Sequence, residues 1–210
     1  IRFGWAIDIV DGDQGLWAAV GASKGSNPAQ ANAGAVYLYR KKAGSWAFQQ
    51  KLNAPITSLD LQRFGSSISL DFDTSVSTYT LAVGAPFQVD DGGPAQGGAV
   101  FVYQLDSGGQ FQLIDSNCGS PETPCGGTLF PPPGEVIQEG DEFGSDVSIR
   151  GGRLLVGAPY MDDGSEAFSG RAFVFERAEL QGDGSYNWVF RAALGDPDNG
   201  PDAEFGFGVG

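Results

Sequence analysis

Three carboxylates lie close together near the start of the chain, in "DIVDGDQG": Asp8, Asp11 and Asp13. Carboxylate oxygens at such short spacing are the ligands that a hard cation such as Ca2+ prefers. Three carboxylates are few for a calcium site, however, and a plain Asp-Gly hairpin turn explains the same residues well. The sequence therefore favours a simple turn here, with a candidate cation loop at these three positions as the alternative.

The abundance of acidic side chains also raises the question of carboxylate catalysis, for example glycoside hydrolysis by two facing carboxyl groups. With 26 Asp and Glu residues among 210, however, suitably spaced pairs are expected by coincidence. The chain contains no histidine, which removes the usual Ser-His and Cys-His catalysis and most transition-metal sites. We therefore assign no catalytic residue, and a carboxylate-based hydrolase is the least favoured function.

The two cysteines, Cys118 and Cys125, lie in the Pro- and Gly-rich segment "NCGSPETPCGG". Two cysteines without further ligands do not make a zinc site. A short disulfide fits this segment and indicates an oxidising compartment. We expect the pair to form that disulfide.

The chain is strongly acidic, with a formal net charge of −14 and a pI near 4.1. Nucleic acid and anionic membrane surfaces repel such a protein, so neither is expected as a partner. Cations and basic protein partners are compatible with this charge, and so is a purely solubilising role. No apolar run approaches the ~20 residues of a membrane span, so this segment is not expected to insert into a membrane.

A four-part pattern recurs along the chain. Phe-Gly pairs start at residues 3, 64, 143 and 205, which are 61, 79 and 62 residues apart. After each of the first three come an apolar run ending in Gly-Ala, a Gly-rich loop, a β-forming run such as "GAVFVYQ" and an aromatic run such as "NWVFRAAL". Each unit predicts four short strands. Such sheets have two apolar faces and need neighbours, which is typical of propeller blades.

The order Phe-Gly, Gly-Ala-Pro, then a β-forming run resembles the FG-GAP repeat of integrin α-subunit head domains and of many secreted proteins. The resemblance covers three full units and the first strand of a fourth. It implies an all-β fold of propeller blades in a larger propeller of seven blades. It also implies display outside the cell, or at its surface, and a role in adhesion or ligand binding.

The pattern sets the expected boundaries within this single propeller segment. We expect blade 1 at about 3–53, blade 2 at about 64–115, a disulfide-bearing insertion at about 116–140, blade 3 at about 143–194 and the start of the next blade at 205–210. Three and a third blades do not close a ring, since propellers have four to eight. The chain also starts at Ile1 without a methionine or a signal peptide. We therefore expect a fragment of a longer propeller, with assembly from several copies as the alternative.

The calcium loop that many repeats of this family carry is incomplete in all three units. The position of its last Asp, four residues before the Gly of Gly-Ala, holds Trp17, Thr80 and Arg153. Blade 2 keeps only Asp71 and Asp73 in "DFD", and blade 3 has the tight hairpin "IRGGRL". No cofactor is assigned with certainty, and bound Ca2+ is expected, if anywhere, at the loop after the first strand of blade 1.

Charge is predicted to be uneven between the two faces of the disk. In an up-and-down blade, the loops between strands 2 and 3 and between successive blades share one face, and these loops hold most of the acids. Such a face steers a basic partner, although acidic Gly-rich loops are also good solvated turns. The acids expected to form the binding face are Asp60, Asp90, Asp91, Asp162, Asp163 and Glu166, joined by the run Glu139, Asp141, Glu142 and the cluster Asp196, Asp198, Asp202, Glu204.

We therefore expect a non-enzymatic extracellular binding or adhesion module whose acidic face contacts a protein or glycan partner. The alternative is a structural protein whose open-ended blades pair between copies to form filaments. Trp46 and Trp188 stand at the start of the aromatic runs. We expect both to pack between blades, with sugar stacking as the alternative.

Overall fold

The computed structural model describes residues 3–24, 33–55, 63–87, 97–114, 127–132, 134–135, 138, 140–162, 169–180, 186–198 and 203–210. These residues form strands and turns, and no helix occurs among them. The strands make three antiparallel sheets. The expected all-β fold of propeller blades is confirmed.

Blade 1 is a four-stranded sheet in which strands that follow one another in the chain are also hydrogen-bonded neighbours. The last two strands are joined by a two-residue turn at Ala43 and Gly44, both with positive φ, as a tight hairpin of right-handed twist requires. Its strands are β1 (Phe3–Val10), β2 (Trp17–Ala22), β3 (Ala35–Lys42) and β4 (Ser45–Asn53).

Blade 2 repeats this order with an outer strand in two pieces. Its strands are β5 (Ser67–Asp73), β6 (Thr78–Ala85), β7 (Ala99–Leu105), β8 (Phe111–Leu113) and β9 (Thr128–Leu129). Both β8 and β9 pair with β7.

The break between β8 and β9 corrects the expected boundaries of the insertion. Gly127 donates its backbone N–H to the carbonyl of Ile114 at 2.9 Å, so the chain leaves the outer strand and returns at the same point. Residues 127–129 therefore belong to blade 2, and the insertion is narrower than the predicted 116–140. Cys118 and Cys125 lie outside the described residues, and their disulfide stays a prediction.

Blade 3 consists of β10 (Val147–Arg150), β11 (Arg153–Ala158), β12 (Arg171–Leu180) and β13 (Tyr186–Gly195). After it, Phe205 forms a parallel bridge to Gly170, at the start of β12. The same bridge joins Gly34 to Phe64 and Gly98 to Phe143. Each Phe-Gly pair after the first thus anchors a new blade on the third strand of the preceding blade, as the repeat predicts.

Each blade has two faces, which we call leading (towards the preceding blade in the chain) and trailing (towards the following one). Two buried clusters fill the spaces between blades. Trp17 on the trailing face of blade 1 meets the ring of Phe111, on the leading face of blade 2, at 5.3 Å. The second cluster joins the trailing side of blade 2 (Val100, Val102) to the leading side of blade 3 (Phe143, Phe173). The core of the protein lies between sheets, because a single sheet hides neither of its faces.

The two tryptophans of the aromatic runs have different surroundings. Trp46 pairs with Lys41 and Trp188 with Arg177, at equivalent places in β3–β4 and β12–β13. Trp188 is 1% exposed between blades 2 and 3, as predicted, whereas Trp46 is 45% exposed. The prediction is wrong for Trp46 because no described sheet covers the leading face of blade 1.

Candidate functional site

The strand order places the loops as the repeat predicts. In each sheet the neighbours are antiparallel, so the loops β2–β3, β6–β7 and β11–β12 leave from the same side as the connections between blades. Of the acids predicted for the binding face, Asp162 is described; Asp60, Asp90, Asp91, Asp163 and Glu166 lie outside the described residues, as do Glu139 and Asp202. The described acids of this face (Asp141, Glu142, Asp162, Asp196, Asp198, Glu204) are what we call the acidic face.

Two carboxylates of the acidic face are held together by Gln138. Its backbone N–H donates to Oδ2 of Asp141 at 2.7 Å, and its side-chain amide donates to Oδ2 of Asp162 at 2.6 Å. Asp141 precedes blade 3 and Asp162 follows the second strand of the same blade. The link through Gln138 therefore joins two loops that are distant in sequence. Sequence reasoning named both acids but missed Gln138, whose polar type alone carries no signal of this role.

Burial sets the protonation of Asp141. The residue is 2% exposed. Burial raises the pKa of its carboxyl group to about 6, the Gln138 N–H bond lowers it, and the Asp162 charge raises it further. Desolvation is the largest of these causes, since a buried carboxylate loses the water that stabilises its charge. The carboxyl group therefore changes charge near pH 6, well above the range of an ordinary Asp.

A left-handed residue precedes each of the later Phe-Gly pairs. Arg63, Glu142 and Glu204 all have positive φ, and each accepts a hydrogen bond at its carbonyl from the residue three positions later. Burial raises the pKa of Glu142, and Arg63 lowers it. The Tyr160 hydroxyl has a pKa raised by burial and by the charges of Glu204 and Glu142. The turns that start successive blades thus place two carboxylates beside one tyrosine.

Basic side chains near this face are engaged by other groups. Arg171 forms an ion pair with Glu135 at 3.3 Å, with both side chains largely buried. The guanidinium of Arg63 stacks over the ring of Phe87 at 4.0 Å. These contacts hold both cations against the protein, whereas Asp198 and Glu204 on the same face are exposed.

The candidate cation loop is not assembled. Among the described residues no group of three or more His, Cys, Asp or Glu side chains is placed to hold a metal ion, and this includes Asp8, Asp11 and Asp13. Asp8 instead accepts the backbone N–H of Leu70 in blade 2 at 2.7 Å. Gly15 donates to the Gly12 carbonyl at 2.9 Å, which closes a turn. These contacts fit the hairpin-turn interpretation of "DIVDGDQG", and a cation at this loop stays a prediction.

The "DFD" carboxylates of blade 2 also hold two blades together. Asp71 accepts the backbone N–H of Gly151 at 2.7 Å, and Asp73 forms an ion pair with Arg177 at 2.6 Å. The Ser75 hydroxyl, more than Arg177, lowers the pKa of Asp73. Asp8, Asp71 and Asp73 thus share one role. Each lies on the first strand of its blade and its carboxylate bonds a group of the next blade. Their position on the first strand is the only sequence signal of it.

The opposite face of the disk has a different electrostatic character. A shallow cleft of about 200 Å3 is lined by Gly151, Gly152, Arg153, Glu176 and Arg177. At its wall, Glu176 forms ion pairs with Arg153 at 3.3 Å and with Arg191 at 3.0 Å. Hydrogen bonds from these two arginines lower the pKa of Glu176. Acids and bases therefore form ion pairs with one another at this cleft.

Comparison with known families agrees with the architecture. Residues 137–175, from the loop of Gln138 through the first half of β12, match the model of the FG-GAP repeat family. No curated protein matches the chain. Within the described residues, no helix has the length and apolar character needed to cross a membrane.

Proposed function

We propose that this FG-GAP repeat protein, built of β-propeller blades, is a non-enzymatic binding module that acts outside the cell or at its surface. Its acidic face binds a basic partner surface, on a protein or on an amine-bearing glycan. The observation that carries the proposal is that six described carboxylates, with Asp198 and Glu204 exposed among them, lie on the side where the loops between blades emerge. FG-GAP repeats commonly occur in extracellular proteins, which supports the location.

The charge of the acidic face favours binding of cationic surfaces over other partners. A surface of one sign attracts an oppositely charged partner over a Debye length of about 8–10 Å and raises its association rate. Rigid sheets hold the loops that carry Asp162, Asp198 and Glu204, so little conformational entropy is lost on binding. The mixed charges around Glu176 on the opposite face provide no such field.

The surroundings of Asp141 favour a binding function over a catalytic one. Its raised pKa is a property that general acids share. The carboxyl group is however almost fully enclosed, and one oxygen already accepts the Gln138 N–H. A substrate would have to displace that loop to reach it. We therefore propose that Asp141 shapes the acidic face and does not react.

Binding of a lysine-rich peptide, measured by biolayer interferometry at 50 and 300 mM NaCl, tests the proposal. We expect measurable affinity at low salt that falls at least several-fold at high salt. The double variant Asp198→Asn, Glu204→Gln should weaken binding several-fold. Immobilised neutral and amine-bearing glycans form a second arm, in which only the amine-bearing sugars should bind.

The matched control removes the same charge from the opposite face. Asp11→Asn, Asp13→Asn changes two exposed acids, and either double variant moves the net charge from −14 to −12. The control should bind the peptide as the unmodified chain does. Equal losses from both double variants would show that overall charge, and not the acidic face, governs binding, and the proposal would fail.

A further inference from the structure

Asp141 is a buried carboxyl group beneath the acidic face, and the repeat does not require it there. Its counterparts, two residues before the other Phe-Gly pairs, are Ile1, Gln62 and Ala203, and none of them carries a charged side chain. The side chain of Asp141 is 2% exposed. A charge at this depth lowers the stability of the fold, because burial disfavours the ionised form. The position therefore calls for a reason other than folding.

The groups around Asp141 connect it to the surface of the acidic face. The backbone N–H of Gln138 lies 2.7 Å from Oδ2 of Asp141, and the side-chain amide of the same residue lies 2.6 Å from Oδ2 of Asp162. Within the described part of the chain, Asp162 is the charged group that acts on Asp141. Glu139 lies outside the described residues. Gln138 thus holds a buried carboxyl group and a half-buried one side by side.

Asp141 titrates in a pH range that ordinary side chains of this chain leave empty. The chain contains no histidine, the side chain that usually changes charge between pH 5 and 8. Burial also raises the pKa of Glu142 and of Asp71. The charge of Arg63 opposes this rise at Glu142, and Asp71 lies towards the opposite face of the disk. A change in the acidic face near pH 6 is therefore expected from Asp141.

The charge of Asp141 and the binding of a cation affect each other. A cation beside Asp162 is attracted by ionised Asp141 and not by the protonated group. Because binding equilibria are reciprocal, ionisation of Asp141 strengthens cation binding by the same factor by which the cation favours ionisation. Burial increases this coupling, since protein screens charges less than water does.

We propose that proton uptake by Asp141 weakens binding of the basic partner, so that the acidic face holds this partner more tightly at neutral pH than in a mildly acidic medium. The inference rests on the proposed function, because it concerns the regulation of the same face. A protonated carboxyl group also accepts a weaker hydrogen bond than a carboxylate does. The link through Gln138 therefore weakens in the same pH range, which acts in the same direction.

Binding of the lysine-rich peptide from pH 5.0 to 7.5, measured by biolayer interferometry at 50 mM NaCl, tests the proposal. Lysine stays charged throughout this range, and ordinary carboxyl groups stay largely ionised. We expect the Kd to rise several-fold on acidification, with a midpoint near pH 6. The scale follows from the linkage, since a change of one pKa unit on binding corresponds to about tenfold in affinity.

Two variants that remove the same charge from neighbouring positions separate Asp141 from the rest of the face. Asp141→Asn should bind with nearly constant affinity over this range, at the weaker level that the unmodified chain shows near pH 5. Glu142→Gln should bind more weakly at every pH and keep the midpoint near pH 6. Circular dichroism verifies that both fold. A midpoint that survives in Asp141→Asn and disappears in Glu142→Gln would overturn the proposal.

Calorimetry gives a second and independent result. Binding at pH 6 should release a fraction of a proton per peptide, because the peptide favours ionised Asp141. The heats in two buffers of different ionisation enthalpy measure this release. Salt-dependent binding that stays constant from pH 5.0 to 7.5, without proton release, would overturn the inference and leave the proposed function intact. Absence of binding at every pH would overturn both.

Discussion

A β-carbon on Gly65 would stand 2.9 Å from the carbonyl oxygen of Ala35, which belongs to the preceding blade. Gly65 is the glycine of a Phe-Gly pair, and Ala35 begins the third strand of blade 1. The approach recurs between Gly144 and the Ala99 carbonyl at 2.7 Å. The repeated glycine therefore marks the point at which backbones of successive blades touch.

Gly65→Ala should destabilise the fold by more than about 3 kcal/mol, because it adds a backbone clash to the cost of a positive φ. Gly4→Ala is the matched control. Gly4 has nearly the same φ, 81° against 83°, but its β-carbon would have only Ile7 Cδ1 near, at 4.0 Å. The control should lose only about 1–2 kcal/mol. Urea unfolding measures both, and equal losses would contradict the contact between blades.

Asp141→Asn should stabilise the protein at pH 7, by about 1–2 kcal/mol. The folded-state pKa, about 6, lies above the ordinary Asp value of 3.8. The stability that the protonated group provides is thus fully present below pH 3.8 and is lost as the pH rises through 6. Asn cannot ionise, so the advantage of the variant should shrink as the pH falls towards 4. Thermal unfolding from pH 4 to 8 measures this trend, and an advantage that grows on acidification would refute the assignment.

Removing one partner of the pair Asp73–Arg177 should cost about 2–4 kcal/mol, because both side chains are largely buried and the remaining charge stays unpaired. The double variant Asp73→Asn, Arg177→Met should cost less than the sum of the single changes. A double-mutant cycle by urea unfolding measures the coupling. The exposed pair Arg153–Glu176 serves as the control, and its coupling should stay below about 1 kcal/mol.

Trp188→Ala should destabilise the chain by about 3–5 kcal/mol, because it opens a cavity between blades 2 and 3. Trp46→Ala removes the counterpart side chain from a face that no described sheet covers, and it should cost little. Thermal unfolding compares the two variants. Equal losses of stability would show that Trp46 is buried, contrary to its exposure.

Much of the fold was predictable from local patterns. The alternation of apolar residues predicted four strands in each unit, and the Phe-Gly spacing predicted equivalent positions for Phe64 and Phe143, both of which are fully buried. The outer strand of blade 2 could not be predicted in the same way. Thr128–Leu129 pair with β7 although twelve residues, 115–126, separate them from β8 in the sequence. The periodicity of apolar residues does not detect such a pairing.

The roles of the residues in the candidate site could be predicted less well from the same local patterns. The residue types and their spacing identified Asp8, Asp71 and Asp73 as the remaining carboxylates of an incomplete cation loop. In the structure each of them bonds a group of the next blade. A carboxylate has the same ligand chemistry for a cation and for an N–H group, so only the position of the neighbouring blade distinguishes the two roles.

By itself, the sequence determined the repeating unit, its strands and the sign of its charge, because these depend on side-chain type and local spacing. The tertiary structure alone decided which of the equivalent residues are buried. Ile7 and Ile68 have the same local pattern but differ in exposure, because a described sheet packs on the face that holds Ile68 and no described sheet packs on the face that holds Ile7. Burial is a property of two surfaces in contact, and a linear pattern describes only one of them.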